Sequence, residues 1–484
     1  MSISGAFNNA MSGLVAAGRA SQVVSDNLAN ALTPGYGVRS LELTSRLIGA
    51  SGGVEVVGVT RNSDPQLMAD RRLATAENSF HSATTQYMER FESVLGTPDQ
   101  VGSLSAQLAD FENAIISAAS RPDAVERMGS VLQFASALAS GLTDASNTLQ
   151  AMRGNADQTI NGQVETLNGA LKELETINTR IVAQRLQGHD TSSMLDQRQS
   201  LVDEISEIVP VQIMERPNFG IALYSTGGTV LLDGRAAELE FEPTTMITPY
   251  MSLSGGQLSG ITVNGVSIDV SSDKGMLRGG SLAAQFSIRD DLAPDGQTQL
   301  DAIARDLMER FEDPSVDPTL GATDPGIFTD GGLSFDPLAE TGLSERLTIN
   351  ALVDPAQGGE IWRLRDGLGA TSPGDPGNAT LFQNYTDALS ARRTPASGSF
   401  GSGFFSAVEL TAGLQSQIGS DHLLADRQLT FSSIQMVEFQ QLELEQGVDT
   451  DSELQKLLLI EQAYAANARV IRAADEMMQQ LLGI

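Results

Sequence analysis

The sequence predicts an α+β, multidomain protein: a terminal coiled-coil-like helical domain, a long helical bundle domain and an inserted β-rich outer domain. Three observations lead there. A seam of small apolar residues at heptad spacing opens the chain, and a second such seam closes it. Between residues 211 and 279 the apolar pattern changes from helical to alternating.

In the first element Ile3, Phe7, Ala10, Leu14, Ala17, Ser21, Val24, Leu28 and Ala31 recur at spacings of four and three. At about 1.5 Å per residue this helix is roughly 45 Å long. Its seam is poor in bulk, with Gly13 and Gly18 close by. A partner helix can approach closely, but the helix alone is marginal in water. It ends at Thr33-Pro34-Gly35-Tyr36, where Pro-Gly suits the central positions of a type II turn. Residues 37–60 read as extended.

Asp64-Pro65 caps and opens a second helix, which Gly96-Thr97-Pro98 closes. Further helices are expected over about 103–120, 122–154 and 155–187, the last carrying Ile160, Val164, Leu167, Leu171, Leu174 and Ile181. Another starts at Leu195-Asp196-Gln197-Arg198 and stops at Pro210. Alternation then takes over, with a Gly227-Gly228 turn and with Asn264-Gly265 between Ile261, Val263 and Val266, Ile268. Asn-Gly between alternating apolar residues is the strongest short hairpin signal. Helix returns over about 281–312, residues 313–380 read as loops with short strands, and 404–446 is helical again. In the last helix, about 451–482, Leu457, Ile460, Tyr464, Asn467, Ile471, Ala474, Met478 and Leu481 form the closing seam.

The expected organisation is nested. Residues 1–33 with 447–484 form the terminal pairing domain, and 34–210 with 280–312 and 385–446 the helical bundle. Residues 211–279 form the β insertion, and 313–384 a loop-rich β segment that is an outer domain or part of that insertion.

Composition narrows the function. The net charge is −31 with 41% hydrophobic and only 5% aromatic residues. So acidic a surface repels phosphate backbones and anionic headgroups, which argues against nucleic acid and membrane surfaces as partners. No run approaches the ~18 apolar residues of a membrane span, so no membrane insertion is expected. The absence of cysteine removes disulfides, Cys-ligated zinc and thiol nucleophiles. Residues 1–22 lack the basic and apolar regions of a cleaved secretory signal.

Chemistry has little support. His81, His189 and His422 are far apart and lack metal-ligand spacing, so they read as solvated side chains. Asp449-Thr450-Asp451-Ser452-Glu453 lacks the glycine and spacing of a calcium loop and reads as a capped helix start. With 61 acidic residues a glycosidase-type carboxylate pair stays open, without a motif behind it. No catalytic residue, cofactor or metal is assigned, and the chain is expected not to be an enzyme.

The two seams carry more. Asn27-Leu28-Ala29-Asn30-Ala31-Leu32-Thr33-Pro34-Gly35-Tyr36 resembles the N-terminal signature of bacterial flagellar axial proteins, in which Asn27, Asn30, Thr33, Pro34, Gly35 and Tyr36 stand out. Gln462-Ala463-Tyr464-Ala465-Ala466-Asn467-Ala468-Arg469-Val470-Ile471 is similar to their C-terminal signature. The interior narrows the resemblance to the hook-associated protein 1 family of hook–filament junction proteins. Leu195-Asp196-Gln197-Arg198-Gln199-Ser200-Leu201-Val202 is similar to a helix motif of that family. So are Gly279-Gly280-Ser281-Leu282 with Arg289-Asp290-Asp291, and Arg61-Asn62-Ser63-Asp64. Rod and hook proteins lack the long helical segments that this chain has between residues 65 and 209. Two departures stand near the C-terminal seam. Gly447-Val448-Asp449-Thr450-Asp451 replaces the more usual Gly-Val-Asn-Leu-Asp, and Leu459-Ile460-Glu461 a Gln-Tyr-Gln.

The resemblance implies a structural subunit of the flagellum. It would leave the cell through the flagellar type III apparatus without signal cleavage, escorted by an export chaperone on the C-terminal helix. It would assemble with its own copies as the layer between hook protein and the second hook–filament junction protein. Ile3, Phe7, Ala10, Leu14, Ala17, Val24 and Leu28 would form the N-terminal assembly seam. Leu457, Ile460, Tyr464, Asn467, Ile471, Met478 and Leu481 would form the seam for assembly and chaperone. The alternatives are another axial protein of hook or filament type, or a secreted hydrolase or adhesin on a flagellar scaffold.

Overall fold

The computed structural model describes residues 3–33, 35–46, 52–270 and 274–482. Helix α1 (Ile3–Ala29) leads into an antiparallel hairpin of β1 (Val38–Ser45) and β2 (Val54–Asn62), with a bulge at Glu42/Leu43. Then come α2 (Pro65–Leu95), α3 (Leu104–Ser120), α4 (Val125–Leu186) and α5 (Ser192–Ile208). Strands β3 (Val211–Glu215), β4 (Ile221–Ser225), β5 (Val230–Asp233) and β6 (Arg235–Ala236) form one antiparallel sheet in that order. A smaller sheet joins β7 (Leu239–Glu240), β8 (Thr262–Val263) and β9 (Val266–Ser267). Asn264 and Gly265 both take positive φ, 51° and 76°, as the tight turn between β8 and β9 requires.

Helix α6 (Gly280–Ser287) runs through a π-helical turn, Ile288–Leu292, into α7 (Ala293–Phe311). Pro294 lacks an N–H and cannot continue an ordinary α-helical ladder, which accounts for the wider turn at this point. Short elements follow: β10 (Phe328–Asp330), α8 (Leu343–Arg346), β11 (Leu347–Ile349), α9 (Arg363–Asp366) and α10 (Thr380–Ser390). Two long helices, α11 (Ala407–Glu445) and α12 (Thr450–Leu482), end the described chain.

The helix starts are capped by the side chains the sequence offers. Asp64 Oδ1 accepts from the Gln66 and Leu67 amides at 3.0 and 3.2 Å, ahead of Pro65. Ser406 and Glu409 form a reciprocal capping box on α11. Asp449 caps α12 through the Asp451 and Ser452 amides.

Helix α4 corrects the expectation of two helices meeting near residue 154. It is continuous over 62 residues, about 93 Å at the standard rise. One interior glycine disfavours a helix by only about 1 kcal/mol, and the buried stripe from Met128 to Ile181 holds both sides of Gly154 in line. The two halves of α4 serve different cores. The first half, with α3, α7, the end of α2 and the start of α11, surrounds Phe111, Phe311, Phe328 and Tyr385. Those rings lie 5.3–5.8 Å apart. Leu320, Ile327, Leu343, Val353 and Leu364 belong to this core too, so residues 313–384 pack into it and not into the core beneath strands β3–β8. The second half of α4 packs with α5, α6 and the strands around Leu174, Ile205, Leu223 and Leu232. Outside both cores, α11 lies along α2, and α1 lies along α12 and against the β1–β2 hairpin.

Candidate functional site

Two contacts fix how the first and last helices lie together. Gly13 backs onto Asn467 so closely that a Cβ on Gly13 would lie 2.6 Å from the Asn467 Nδ2. Asn27 Nδ2 donates to Glu453 Oε2 at 3.2 Å. Two heptads separate Gly13 from Asn27 and, in the opposite direction, Asn467 from Glu453, so α1 and α12 run antiparallel in register.

Along α1, Ala10, Ala17 and Val24 are buried, and Ile3, Phe7 and Leu14 are half-buried. Leu28, placed in the seam by its spacing, is 37% exposed; the inward position belongs to Asn27, which is fully buried. Along α12, Leu457, Ile460, Asn467 and Ile471 are half-buried and Ala474 is buried. Tyr464 and Met478 are 51% and 44% exposed. The side chain of Leu481 lies outside the described ones, as does the whole of Pro34. One partner helix covers one face, so Leu454, Leu458, Leu459 and Val470 stay exposed on α12, and Met11 and Val15 on α1.

Asn27 is the hub of the turn that follows α1. Its amide nitrogen donates to the Arg39 carbonyl at 2.8 Å as well as to Glu453. Its oxygen accepts from the Tyr36 hydroxyl at 2.8 Å and the Arg39 amide at 3.0 Å. All four hydrogen-bonding positions of the amide are used, which is what a buried amide needs. Asn30 caps back onto the Asp26 carbonyl and accepts from Thr33. Gly35 has φ of 77°, and the Tyr36 amide donates to the Thr33 carbonyl at 3.2 Å, the bond pattern of a type II turn. Burial raises the Tyr36 hydroxyl above its ordinary pKa, so it stays a donor. Glu453 is itself nearly buried and takes Lys456 Nζ at 2.6 Å on its other oxygen.

A second carboxylate ties this turn to the helical region. Asp196, in the Leu195–Arg198 motif of α5, accepts from Gly37 N at 3.2 Å, Arg39 Nη2 at 2.8 Å and Arg61 Nε at 2.7 Å. Burial disfavours the Arg39 charge, and the bond to Asp196 together with the neighbouring negative groups more than offsets it. Two turns on, Asp203 receives Arg71 Nη2 and Arg72 Nε, each at 2.7 Å, and Arg71 also pairs with Glu443 near the end of α11. Two motifs that sequence reading singled out separately, Arg61–Asp64 and Leu195–Val202, therefore meet at one joint. The arginines and acids that complete it, Arg39, Arg71, Arg72, Asp203 and Glu443, carry no periodic signal and escaped it.

The third motif makes a different joint. Gly280 has φ of 72°, and a Cβ there would meet the Ile208 carbonyl at 2.3 Å. Arg289, fully buried, pairs with buried Asp157 at 2.7 Å, binds Asp290 through two nitrogens and donates to the Ser259 carbonyl. Arg153 donates to the carbonyls of Arg289, Thr248 and Met251. These arginines stitch the middle of α4 to the loop between β7 and β8.

Other chemistry is sparse. Among the described residues no group of three or more His, Cys, Asp or Glu side chains is placed to hold a metal. His422 pairs with Glu92 at 2.5 Å between α11 and α2, so it is not simply solvated. No described helix is long and apolar enough to cross a membrane.

Three family models match the chain. Residues 88–314 match the flagellar hook-associated protein FlgK helical domain. Residues 7–36 match the flagella basal body rod protein family, and 445–484 the flagellar basal body rod FlgEFG protein C-terminal family. Flagellar hook-associated protein 1 of Bacillus subtilis is 24% identical over 94% of this chain and 93% of its own length. The same-named protein of Escherichia coli is 26% identical over 49% of this chain and 44% of its own length. The flagellar hook junction protein FlgK from Burkholderia pseudomallei superposes with a TM-score of 0.44 at 17% identity, covering 55% of this chain and 47% of that one.

A long helical body whose first and last helices pair in antiparallel register, with flagellar families matched at both ends, defines a structural protein of the flagellar axis. Within that class, the chain is similar to flagellar hook-associated protein 1 over most of its length, which supports a structural junction component of the flagellum.

Proposed function

We propose that the chain polymerises through α1 and α12 into the layer between hook and filament. Hook protein lies below it, the second junction protein above, and its own copies lie alongside. It acts outside the cell as a structural part and carries out no catalysis. It travels there unfolded through the flagellar type III apparatus without signal cleavage, with an export chaperone on α12. Residues 1–33 with 447–484 act as the assembly domain.

One observation carries this reading: the α1–α12 pair has a single tight inner seam and leaves apolar side chains outward on both helices. A monomer with a net charge of −31 stays soluble in spite of them, and neighbouring copies supply the cover that one partner helix lacks. Weakly buried helices of this kind unfold at little cost for threading and gain order on packing.

Removing residues 451–484 tests it. The truncated chain is expected to keep both cores, measured by its cooperative melt, while losing chaperone binding and incorporation into flagella. Normal filaments on cells that make only the truncated chain would overturn the reading.

A further inference from the structure

Beside the Asp196 joint lies a cleft of about 400 Å³ between α2, α5 and the β3–β4 edge. Such a volume is in the range of ordinary ligand sites. Arg61, Arg72, Arg198 and Gln199 line it, with Glu215 as the one acid on its wall. In a chain with twice as many acids as bases, three guanidinium groups around one cleft stand out.

Arg61 is held by Asp196, Ser63 and the Gly35 carbonyl, whereas the other groups are less well bonded. Arg72 is only 4% exposed, and its Nε is committed to Asp203, yet its Nη2 is buried without a hydrogen-bond partner. Gln199 Nε2, also lining the cleft, is buried and unpartnered too. Arg198 donates only to neutral acceptors, the Phe219 carbonyl at 2.6 Å and the Asn178 side chain at 3.4 Å. Burial, helped by repulsion from Arg61 and Arg72, pushes the Arg198 guanidinium down to about 10. A buried unpaired donor is costly, and an acceptor brought against it by a small side-chain shift would recover that cost. Apart from Ser63 and Gln66, the remaining walls, Met68, Val202 and Phe219 among them, are apolar and would cover the stem of an acidic side chain.

We propose that this cleft is a carboxylate socket that receives an acidic side chain from a second copy of the chain. The inference rests on the assembly reading above. Charge complementarity selects the occupant: each copy carries 61 acids against 30 bases. The socket also adjoins the joint that anchors the α1 turn, through Arg61.

Two measurements on the full chain decide it. In the first, glutarate is titrated into the purified protein and the melting temperature followed. The wild type is expected to show a saturable rise that dimethyl glutarate does not produce. Gln199→Glu, which sets its own carboxylate against Arg72 and Arg198, should melt no lower than wild type and bind glutarate about tenfold more weakly. Equal responses from the two chains, or none from wild type, would overturn the socket.

The second uses the absence of cysteine. Gln66→Cys, at the rim of the cleft, is labelled with benzophenone maleimide in isolated flagella and irradiated. The expected product is a homodimer crosslinked to a peptide bearing Asp or Glu, lost when Gln199→Glu is added. Crosslinks only to a different protein, or a homodimer that survives Gln199→Glu, would overturn the choice of occupant. Filament counts on the same cells report separately on assembly. A chain that never incorporates counts against the assembly reading, and the glutarate titration then decides the socket alone.

Discussion

Asn27 on the first helix and Glu453 on the last are 426 residues apart in sequence and share a buried hydrogen bond of 3.2 Å. Aspartate at position 27 has no N–H to give to Glu453 or to the Arg39 carbonyl, and it sets two carboxylates face to face. Asn27→Asp is therefore expected to loosen α12 from α1 by about 3–5 kcal/mol, the scale for breaking a buried polar partnership. Hydrogen exchange over residues 450–482 measures it. Unchanged protection in that helix would contradict the role given to Asn27.

Gly13 and Gly18 differ only in what faces them. A Cβ at Gly13 collides with Asn467, whereas nothing lies within 4 Å of one at Gly18. Gly18→Ala should stabilise α1 by up to about 1 kcal/mol through helix propensity alone. Gly13→Ala should forfeit that gain, and Gly13→Val should separate the helices. Urea unfolding followed by far-UV circular dichroism distinguishes them, and equal shifts for Gly13→Ala and Gly18→Ala would refute the close approach.

Asp196 holds Arg39, Arg61 and the Gly37 amide at once. Asp196→Asn leaves two partly buried guanidinium groups without their counterion, and a loss of about 2–3 kcal/mol is expected, with faster proteolysis between residues 38 and 62. Asp233→Asn breaks the exposed pair with Arg216 and serves as the control that should change nothing measurable. If the two substitutions behave alike, Asp196 is not the anchor of the hairpin.

Burial raises Glu312 to about 7, while its side chain accepts from the Phe335 amide at 2.9 Å. A carboxyl whose folded pKa lies above its unfolded value of about 4.5 supports the fold fully below that value. Its contribution fades as the pH rises through 7. Glu312→Gln keeps an acceptor for Phe335 and cannot ionise, so it should be more stable than wild type at pH 8 and lose the advantage near pH 4. The difference should be on the order of 1 kcal/mol after solvent screening. Parallel melting curves for the two chains from pH 4 to 8 would exclude the effect.

What the sequence made legible was local. Pro65 after Asp64, the Pro-Gly break after α1, and Asn264-Gly265 each act within a few residues, and each marks a boundary in the fold. The pairing of the first and last helices was legible because two weak seams have no other use. The long-range polar joints were not. Heptad spacing places Leu28 in the seam, and only the turn back to Arg39 and the arrival of Glu453 explain why Asn27 points inward. The same holds for Arg289 and Asp157, which are 132 residues apart. Continuity of α4 through Gly154 and the packing of 313–384 on the first core depend on apolar partners scattered through the chain, which local pattern cannot supply.

The claim that this chain forms the layer on which the filament is built is tested most directly by electron microscopy of cells that lack it. Hooks of normal length bearing no filaments, with filament protein released into the medium, are the predicted result. Full-length filaments on those hooks would contradict it.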